Sequence, residues 1–161
     1  MNDNTQKLGL EFASYLSEKL KKSLECIQIT RIFGGASRET FLVELLEKEN
    51  NDLIRVILRR SQKSSLIETD QETEYKAYSV FQNSDVPVPK LITLEKSSKP
   101  LGAPFLVMEQ LEGEAGNPFD NEAYKPHAKE IGQQFWSILG TISCLDISKK
   151  EFEKFKECSR K

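Results

Sequence analysis

The sequence predicts an α+β fold, in which an antiparallel sheet of about five strands with one inserted helix is followed by a helical segment. Three apolar runs stand close together between Ile27 and Arg60, a spacing typical of strands joined by hairpins. A helix-like stretch and two shorter apolar runs follow. After Asn117-Pro118 the chain changes character, and from about Pro126 to Leu139 its apolar residues recur at helical spacing.

The first predicted element is an amphipathic helix over residues 5–25, packed on the sheet. Its apolar residues recur at helical spacing. They are Leu8, Phe12, Leu16 and Leu20.

Three strands are predicted next, over residues 27–32, 40–46 and 53–58, separated by a glycine turn and by the polar turn 47–52. The second of them contains β-branched and aromatic residues, which are typical of strands. Three isoleucines give the first strand its apolar content: Ile27, Ile29 and Ile32.

A second helix is predicted from about Glu68, where Thr69 and Glu72 form a possible capping box. The apolar face of this helix contains Tyr75, Ala77, Tyr78 and Phe81.

Two short strands follow over residues 90–94 and 104–110, and a helix over 126–139 begins at a proline. The last stretch, residues 147–161, is charged and predicted to be helical.

The composition indicates a globular domain with an ordinary core. The chain has 161 residues, of which 38% are hydrophobic and 30% charged. A formal net charge of -2 gives no electrostatic case for nucleic-acid binding. No apolar run approaches the ~20 residues of a membrane span, and the first residues lack a signal-peptide pattern. We therefore expect a cytoplasmic protein that binds neither nucleic acid nor membrane.

The cysteine and histidine content narrows the possible sites. Cys26, Cys144 and Cys158 are widely spaced and form no CxxC motif, which favours reduced structural thiols. His127 is the single histidine, so a multi-histidine metal site is excluded.

Three features could carry chemistry, and each has a plainer interpretation. The glycine pair after the first strand could hold backbone N–H groups near an anion, or be only a hairpin turn. Arg59 and Arg60 end the third strand, with Glu72 and Glu74 on the next helix. A cation held by a carboxylate in this way could bind a phosphate, or both side chains could be ordinary surface charges. The strand 105–108 could present backbone groups to a flat heterocycle where it ends, or be an ordinary core strand.

Together these segments resemble the N-terminal lobe of the kinase-like phosphotransferases of the aminoglycoside phosphotransferase family, over about residues 27–140. The segments that carry the resemblance are FGGASRETF, VILRR, ETEYKAYSVF, VPVPKLITL and LGAPFLVMEQLEG. They look closest to the phosphotransferase modules related to those found with acyl-CoA dehydrogenases. We therefore divide the chain into an N-terminal helix at 1–25, a kinase-like N-lobe at 26–113, and a linker with the start of an incomplete helical C-lobe at 114–161.

The resemblance implies ATP as the cofactor and assigns its phosphates to two elements. Arg59 would occupy the position of the family's lysine and contact the α- and β-phosphates, and Glu74 would pair with Arg59. A slip of one residue to Arg60 would turn that side chain to the other face of the strand, so we predict Arg59. Four residues would cover the phosphates: Gly34, Gly35, Ala36 and Ser37.

The resemblance also implies an adenine site. Backbone groups of Glu109 and Leu111 would hold the base, and Ile57 and Met108 would line its pocket.

The family's catalytic motifs are not found in the sequence. Phosphoryl transfer in such enzymes uses a catalytic-loop Asp, a downstream Asn and an Asp that holds Mg²⁺. No His-x-Asp-x-x-x-x-Asn motif and no Asp-Phe-Gly or Ile-Asp-Trp equivalent follows Gly113. We therefore expect no catalytic residue and no metal ligand here, with the Mg²⁺ ligands in a missing lobe and the chain inactive alone.

The resemblance implies that a full-length parent phosphorylates a hydroxyl of a small molecule or an acyl-CoA. The alternatives are a non-catalytic nucleotide-binding or protein-interaction module that has lost its catalytic lobe, and a domain that binds no nucleotide. Apolar residues on the terminal helices would pack on the missing lobe, pair two copies of the chain or bind a partner chain. Among them are Phe135, Trp136 and Phe155.

Overall fold

The computed structural model describes residues 3–33, 38–61, 71–113 and 121–145. The chain divides into two compact units, Met1–Ala77 with Pro89–Gln110, and Tyr78–Val88 with Leu111–Lys161. The elements are, in chain order, α1 (Asp3–Leu20), β1 (Leu24–Ile32), β2 (Arg38–Glu47), β3 (Asp52–Ser61), α2 (Gln71–Phe81), β4 (Leu91–Glu95), β5 (Phe105–Glu109), α3 (Asn121–Tyr124), a 3₁₀ turn (Lys125–His127) and α4 (Ala128–Ser143).

The first unit is built on a five-stranded sheet with the order β1-β2-β3-β5-β4, in which every neighbouring pair is antiparallel. In the chain, α2 stands between β3 and β4, and β5 then inserts between these two strands. The predicted α+β fold, with five antiparallel strands and one inserted helix, is confirmed.

The core lies between α1 and one face of the sheet. In β2, Phe41, Val43 and Leu45 alternate with half-buried residues, so one face of the strand is fully covered. Four consecutive residues of β5 are buried, because this strand has neighbours on both sides and its two faces are both covered. The residues that α1 contributes to the core are Leu8, Phe12, Ala13 and Leu16.

The predicted extent of α1 is wrong at its C-terminal end, because the helix stops at Leu20 rather than at residue 25. Lys21 adopts a left-handed conformation with φ 55°, and the Lys22 N–H donates to the Ser17 carbonyl at 3.1 Å. A left-handed residue after the last turn is a common helix end, but it is usually glycine. The sequence has no glycine or proline there, so the pattern alone gave no stop signal.

The three isoleucines predicted for the first strand all lie in β1, but they differ in burial. Ile29 is 3% exposed, but Ile27 is 54% and Ile32 46% exposed. The strand begins earlier than predicted, at Leu24, and its pairing with β2 shifts between Cys26 and Gln28. Such a bulge interrupts the alternation of faces, and β1 is also an edge strand.

The second unit contains the end of α2 and the helices that follow β5. Helix α4 spans Ala128–Ser143 rather than 126–139, because Pro126 lies in the preceding 3₁₀ turn. None of the described α4 side chains is buried. Its large exposed apolar residues are Ile131, Phe135, Trp136, Leu139 and Ile142. In the described part of the chain, no helix combines the length and the hydropathy needed to cross a bilayer.

Close packing of α1 on β1 makes Gly9 sensitive to enlargement. A Cβ atom at this position would lie 2.8 Å from Cys26 Sγ and 3.0 Å from Ile29 Cγ2. We expect Gly9→Leu to lower the free energy of unfolding by about 1–3 kcal/mol, because overpacking forces neighbours to move. Urea unfolding measures this change. Ser14→Leu, at an exposed position of the same helix, is the control, and equal stability of the two variants would contradict the account.

Candidate nucleotide-binding face of the sheet

The face of the sheet opposite α1 contains Arg59. Strand β3 continues through Arg59 to Ser61 and is paired on both sides at this point, with Thr40 of β2 and Leu106 of β5 opposite Arg59. The prediction that the strand ends at residue 58 is therefore too short. The arginine is held in a central strand, and its side chain is 28% exposed.

Helix α2 supplies the partner of Arg59. Arg59 Nη1 donates to Glu74 Oε1, and the Glu74 side chain is 20% exposed. The start of α2 is fixed to the same strand, because the buried Gln71 donates from Nε2 to the Arg59 carbonyl at 3.0 Å. The two side chains that the resemblance assigns to the phosphate site are thus in direct contact.

A second arginine, which sequence reasoning missed, also contacts Glu74. Arg38 begins β2, its side chain is 4% exposed, and its Nε lies 3.4 Å from Glu74 Oε2. Its Nη1 donates to Ser61 Oγ at 3.2 Å. Residues two apart on a strand share a face, and Arg38 lies two residues before Thr40, which is opposite Arg59. The register of β2 and β3 therefore puts both arginines on this face, and the sequence pattern alone does not give that register.

Arg60 lies on the other face of β3, as the alternation of a strand requires. Its Nε donates to Glu39 Oε2 at 2.9 Å, and its Nη1 donates to the Leu101 carbonyl at 2.9 Å. It lines a cavity of about 420 Å³ beside α1, together with Arg31 and Glu39. None of the predicted site residues that the structure describes lines this cavity, so Arg59 and Arg60 belong to separate charge clusters.

Glu72 belongs to a different cluster from Glu74. It accepts from Lys96 at 2.7 Å and contacts Lys76 at 3.0 Å. The hydrogen bond from Lys96, followed by that from Lys76, lowers the pKa of the Glu72 carboxyl from 4.5 to about 2. The ion pairs of Glu72 therefore favour folding above about pH 4.5, and this contribution is lost as the pH falls towards 2.

This assignment predicts a measurable titration. We expect the Glu72 side-chain carboxyl carbon to titrate near pH 2 by NMR, and Lys96→Gln to move its midpoint towards 4.5, since the largest cause of the lowered pKa is removed. Lys99→Gln, at an exposed position nearby, is the control. A midpoint that Lys96→Gln leaves unchanged would show that this ion pair does not form in solution.

Two of the four residues predicted for the adenine site form a cross-strand pair. Ile57 of β3 and Met108 of β5 are directly opposite in the sheet, and Ile57 is on the same face as Arg59. Met108 is 5% exposed and Ile57 half-buried, so they form an apolar floor next to the arginine.

The end of β5 is held to Lys90 by one backbone hydrogen bond and one side-chain hydrogen bond. The Glu109 N–H donates to the Lys90 carbonyl at 2.9 Å, and Glu109 Oε1 accepts from the Lys90 N–H at 2.8 Å. Leu111 is 59% exposed and belongs to the second unit. The roles of Glu109 and Leu111 towards adenine stay predictions.

Four predicted phosphate-site residues, Gly34, Gly35, Ala36 and Ser37, lie outside the described residues. Within residues 3–33, 38–61, 71–113 and 121–145, no three His, Cys, Asp or Glu side chains cluster closely enough to hold a metal ion.

Comparison with known proteins identifies the family. The profile of the phosphotransferase enzyme family matches residues 28–158. A solved structure of a candidate aminoglycoside phosphotransferase from Ralstonia eutropha superposes with a TM-score of 0.53 and 17% identity over 86% of this chain. The chain spans 38% of the length of that protein. Among curated proteins, none matches. With this fold and a family match over most of its length, the chain belongs to the phosphotransferase enzyme family.

Proposed function

We propose that this phosphotransferase uses ATP, and that Arg59 and Glu74 form the part of the chain that grips the nucleotide phosphates. The observation that carries the proposal is the contact of a half-exposed strand arginine with a carboxylate on the inserted helix. Phosphotransferases of the kinase type use a strand cation and a helix glutamate paired in this way.

The charges of the cluster suit an anion. Glu74 is shared by Arg38 and Arg59, so the three side chains carry one net positive charge. Arg59 is the more exposed of the two arginines, and a guanidinium that uses one Nη on a carboxylate keeps other N–H donors for a phosphate. A triphosphate brought to this face would therefore meet Arg59 first.

The apolar residues of the same face suit a purine. Ile57 is two residues from Arg59 along β3, which corresponds to roughly 7 Å in a strand. Met108, opposite Ile57, extends the apolar surface onto β5. An arginine and an apolar pair at this spacing match the phosphate end and the base end of a nucleotide. This match supports the proposal that adenine stacks on the Ile57–Met108 pair.

ATP fits the residues of the first unit, whereas Mg²⁺ finds no ligand set in the described residues. We therefore assign this chain's residues to binding and orienting ATP, and derive no step through the metal. The group that ATP supplies on binding is its γ-phosphoryl. The acceptor that we propose is a hydroxyl of a small molecule or an acyl-CoA, following the resemblance of the sequence.

The experiment that tests the proposal is a calorimetric titration of the full chain with ATP and, separately, with adenosine. We expect both to bind and ATP to bind more tightly, because only ATP can use Arg59. Equal affinities would contradict the phosphate assignment. The absence of binding by either compound would overturn the proposed function.

A further inference from the structure

Glu74 is held by two guanidinium groups that differ in their surroundings. Arg38 contacts one carboxylate oxygen and Arg59 the other. The Arg38 side chain is 4% exposed, whereas that of Arg59 is 28% exposed. The two arginines therefore cannot serve the same purpose, since only Arg59 is open to a ligand.

Arg38 is also anchored on its far side. Its Nη1 donates to Ser61 Oγ, and Ser61 is its direct partner in the β2–β3 register. The Ser61 N–H in turn donates to the Pro104 carbonyl at 3.0 Å. These contacts anchor the Arg38 guanidinium to the sheet, and its Nε forms an ion pair with Glu74 at 3.4 Å.

The second cation changes the charge that Arg59 presents. A carboxylate paired with Arg59 alone would cancel the charge of that arginine. With Arg38 present, the carboxylate is already balanced by a buried partner, and one positive charge of the cluster remains uncompensated. Removing one partner of a partly buried ion pair is costly, so Arg38 stabilises the Glu74 carboxylate while Arg59 engages another anion.

We propose that Arg38 is a positioning residue that holds Glu74 and balances its charge, so that the charge of Arg59 is available to the phosphates of ATP. This inference rests on the proposed function, because it specifies how the same site binds its nucleotide. Arg38 acts through Glu74 and does not itself touch the ligand.

A double-mutant cycle separates this role from the alternatives. The ATP affinities of the wild type, Arg38→Gln, Glu74→Gln and the double variant are measured by calorimetry. We expect Arg38→Gln to weaken ATP binding roughly tenfold in the wild-type background, the size of one charged interaction. In the E74Q background the same change should have less than about a twofold effect, since no carboxylate is left to balance.

Two further variants complete the design. Arg38→Lys keeps the charge and should recover most of the affinity. Arg38→Met, which is also neutral, replaces Arg38→Gln if that variant fails to fold. Arg60→Gln, which removes an equally paired arginine from the opposite face of β3, should leave ATP binding unchanged. Adenosine affinity should be the same in all variants.

Each other outcome overturns the inference. An equal loss in both backgrounds would mean that Arg38 contacts the phosphate directly. Unchanged ATP affinity with lower stability would mean a purely structural role. If the wild type binds no ATP, the proposed function fails. Urea unfolding of the same four proteins then tests whether Arg38 holds Glu74. If the stability losses of the two single variants add up to the loss of the double variant, Arg38 does not hold Glu74.

Discussion

Replacing Arg59 with glutamine is expected to lower the affinity of the chain for ATP at least about tenfold and to leave its affinity for adenosine unchanged. A hydrogen bond to a charged group contributes about 1.5–3 kcal/mol, and about 1.4 kcal/mol corresponds to a tenfold change in affinity. Adenosine has no phosphate, so the loss should be confined to ATP. Calorimetric titration of both compounds measures the difference.

The control for this prediction lies in the same strand. Arg60 has the same side chain and also pairs with a glutamate, but on the opposite face of β3. If Arg60→Gln weakened ATP binding as much as Arg59→Gln, the nucleotide would bind at the α1 face, and the assignment of the site would be wrong.

Truncating Phe105 is expected to cause the largest loss of stability. Phe105 is fully buried, and its ring makes edge-to-face contacts with Phe12 at 6.5 Å and with Tyr15 at 5.0 Å between ring centroids. It therefore ties α1 to β5, a strand with a neighbour on each side. We expect Phe105→Ala to lower the free energy of unfolding by about 3–5 kcal/mol in urea denaturation.

A matched phenylalanine tests whether burial is the cause. Phe33 is 83% exposed, so Phe33→Ala should change the free energy of unfolding by no more than about 0.5 kcal/mol. A loss below about 1 kcal/mol for Phe105→Ala would show that α1 is not packed on the sheet in solution.

The fold was predictable because its signals are local. Each strand of the sheet contains its own run of apolar or β-branched residues, and segments of glycine, proline or polar residues between the runs mark the turns. Where the predicted end of β3 was wrong, tertiary contacts decided the outcome. Arg59 and Arg60 extend β3 because strands on both sides supply hydrogen-bonding partners, although their charges suggest the end of a strand.

The candidate site was predictable in part. The contact of Arg59 with Glu74 follows from the resemblance, which relates two residues fifteen positions apart. The contact of Arg38 with the same glutamate joins β2 to α2, and no spacing rule connects residues so far apart in the chain. It required knowledge of which strand face each element covers.

Helix α4 shows another limit of prediction from sequence. Its apolar residues recur at helical spacing, which indicates one apolar face. That face is exposed in the described structure, and the pattern does not specify what packs on it. The predicted missing lobe, second copy or partner chain therefore stays a prediction.

The most direct test of the central claim is an NMR titration of the ¹⁵N-labelled full chain with ATP, in which the Nε–Hε signals of the arginines are followed. The account predicts that the Arg59 signal shifts in a saturable manner, whereas the Arg60 signal stays in place. Variants Arg59→Gln and Arg60→Gln assign the two signals. A shift of Arg60 without one of Arg59, or no shift of either, would contradict the claim that this face of the sheet binds ATP.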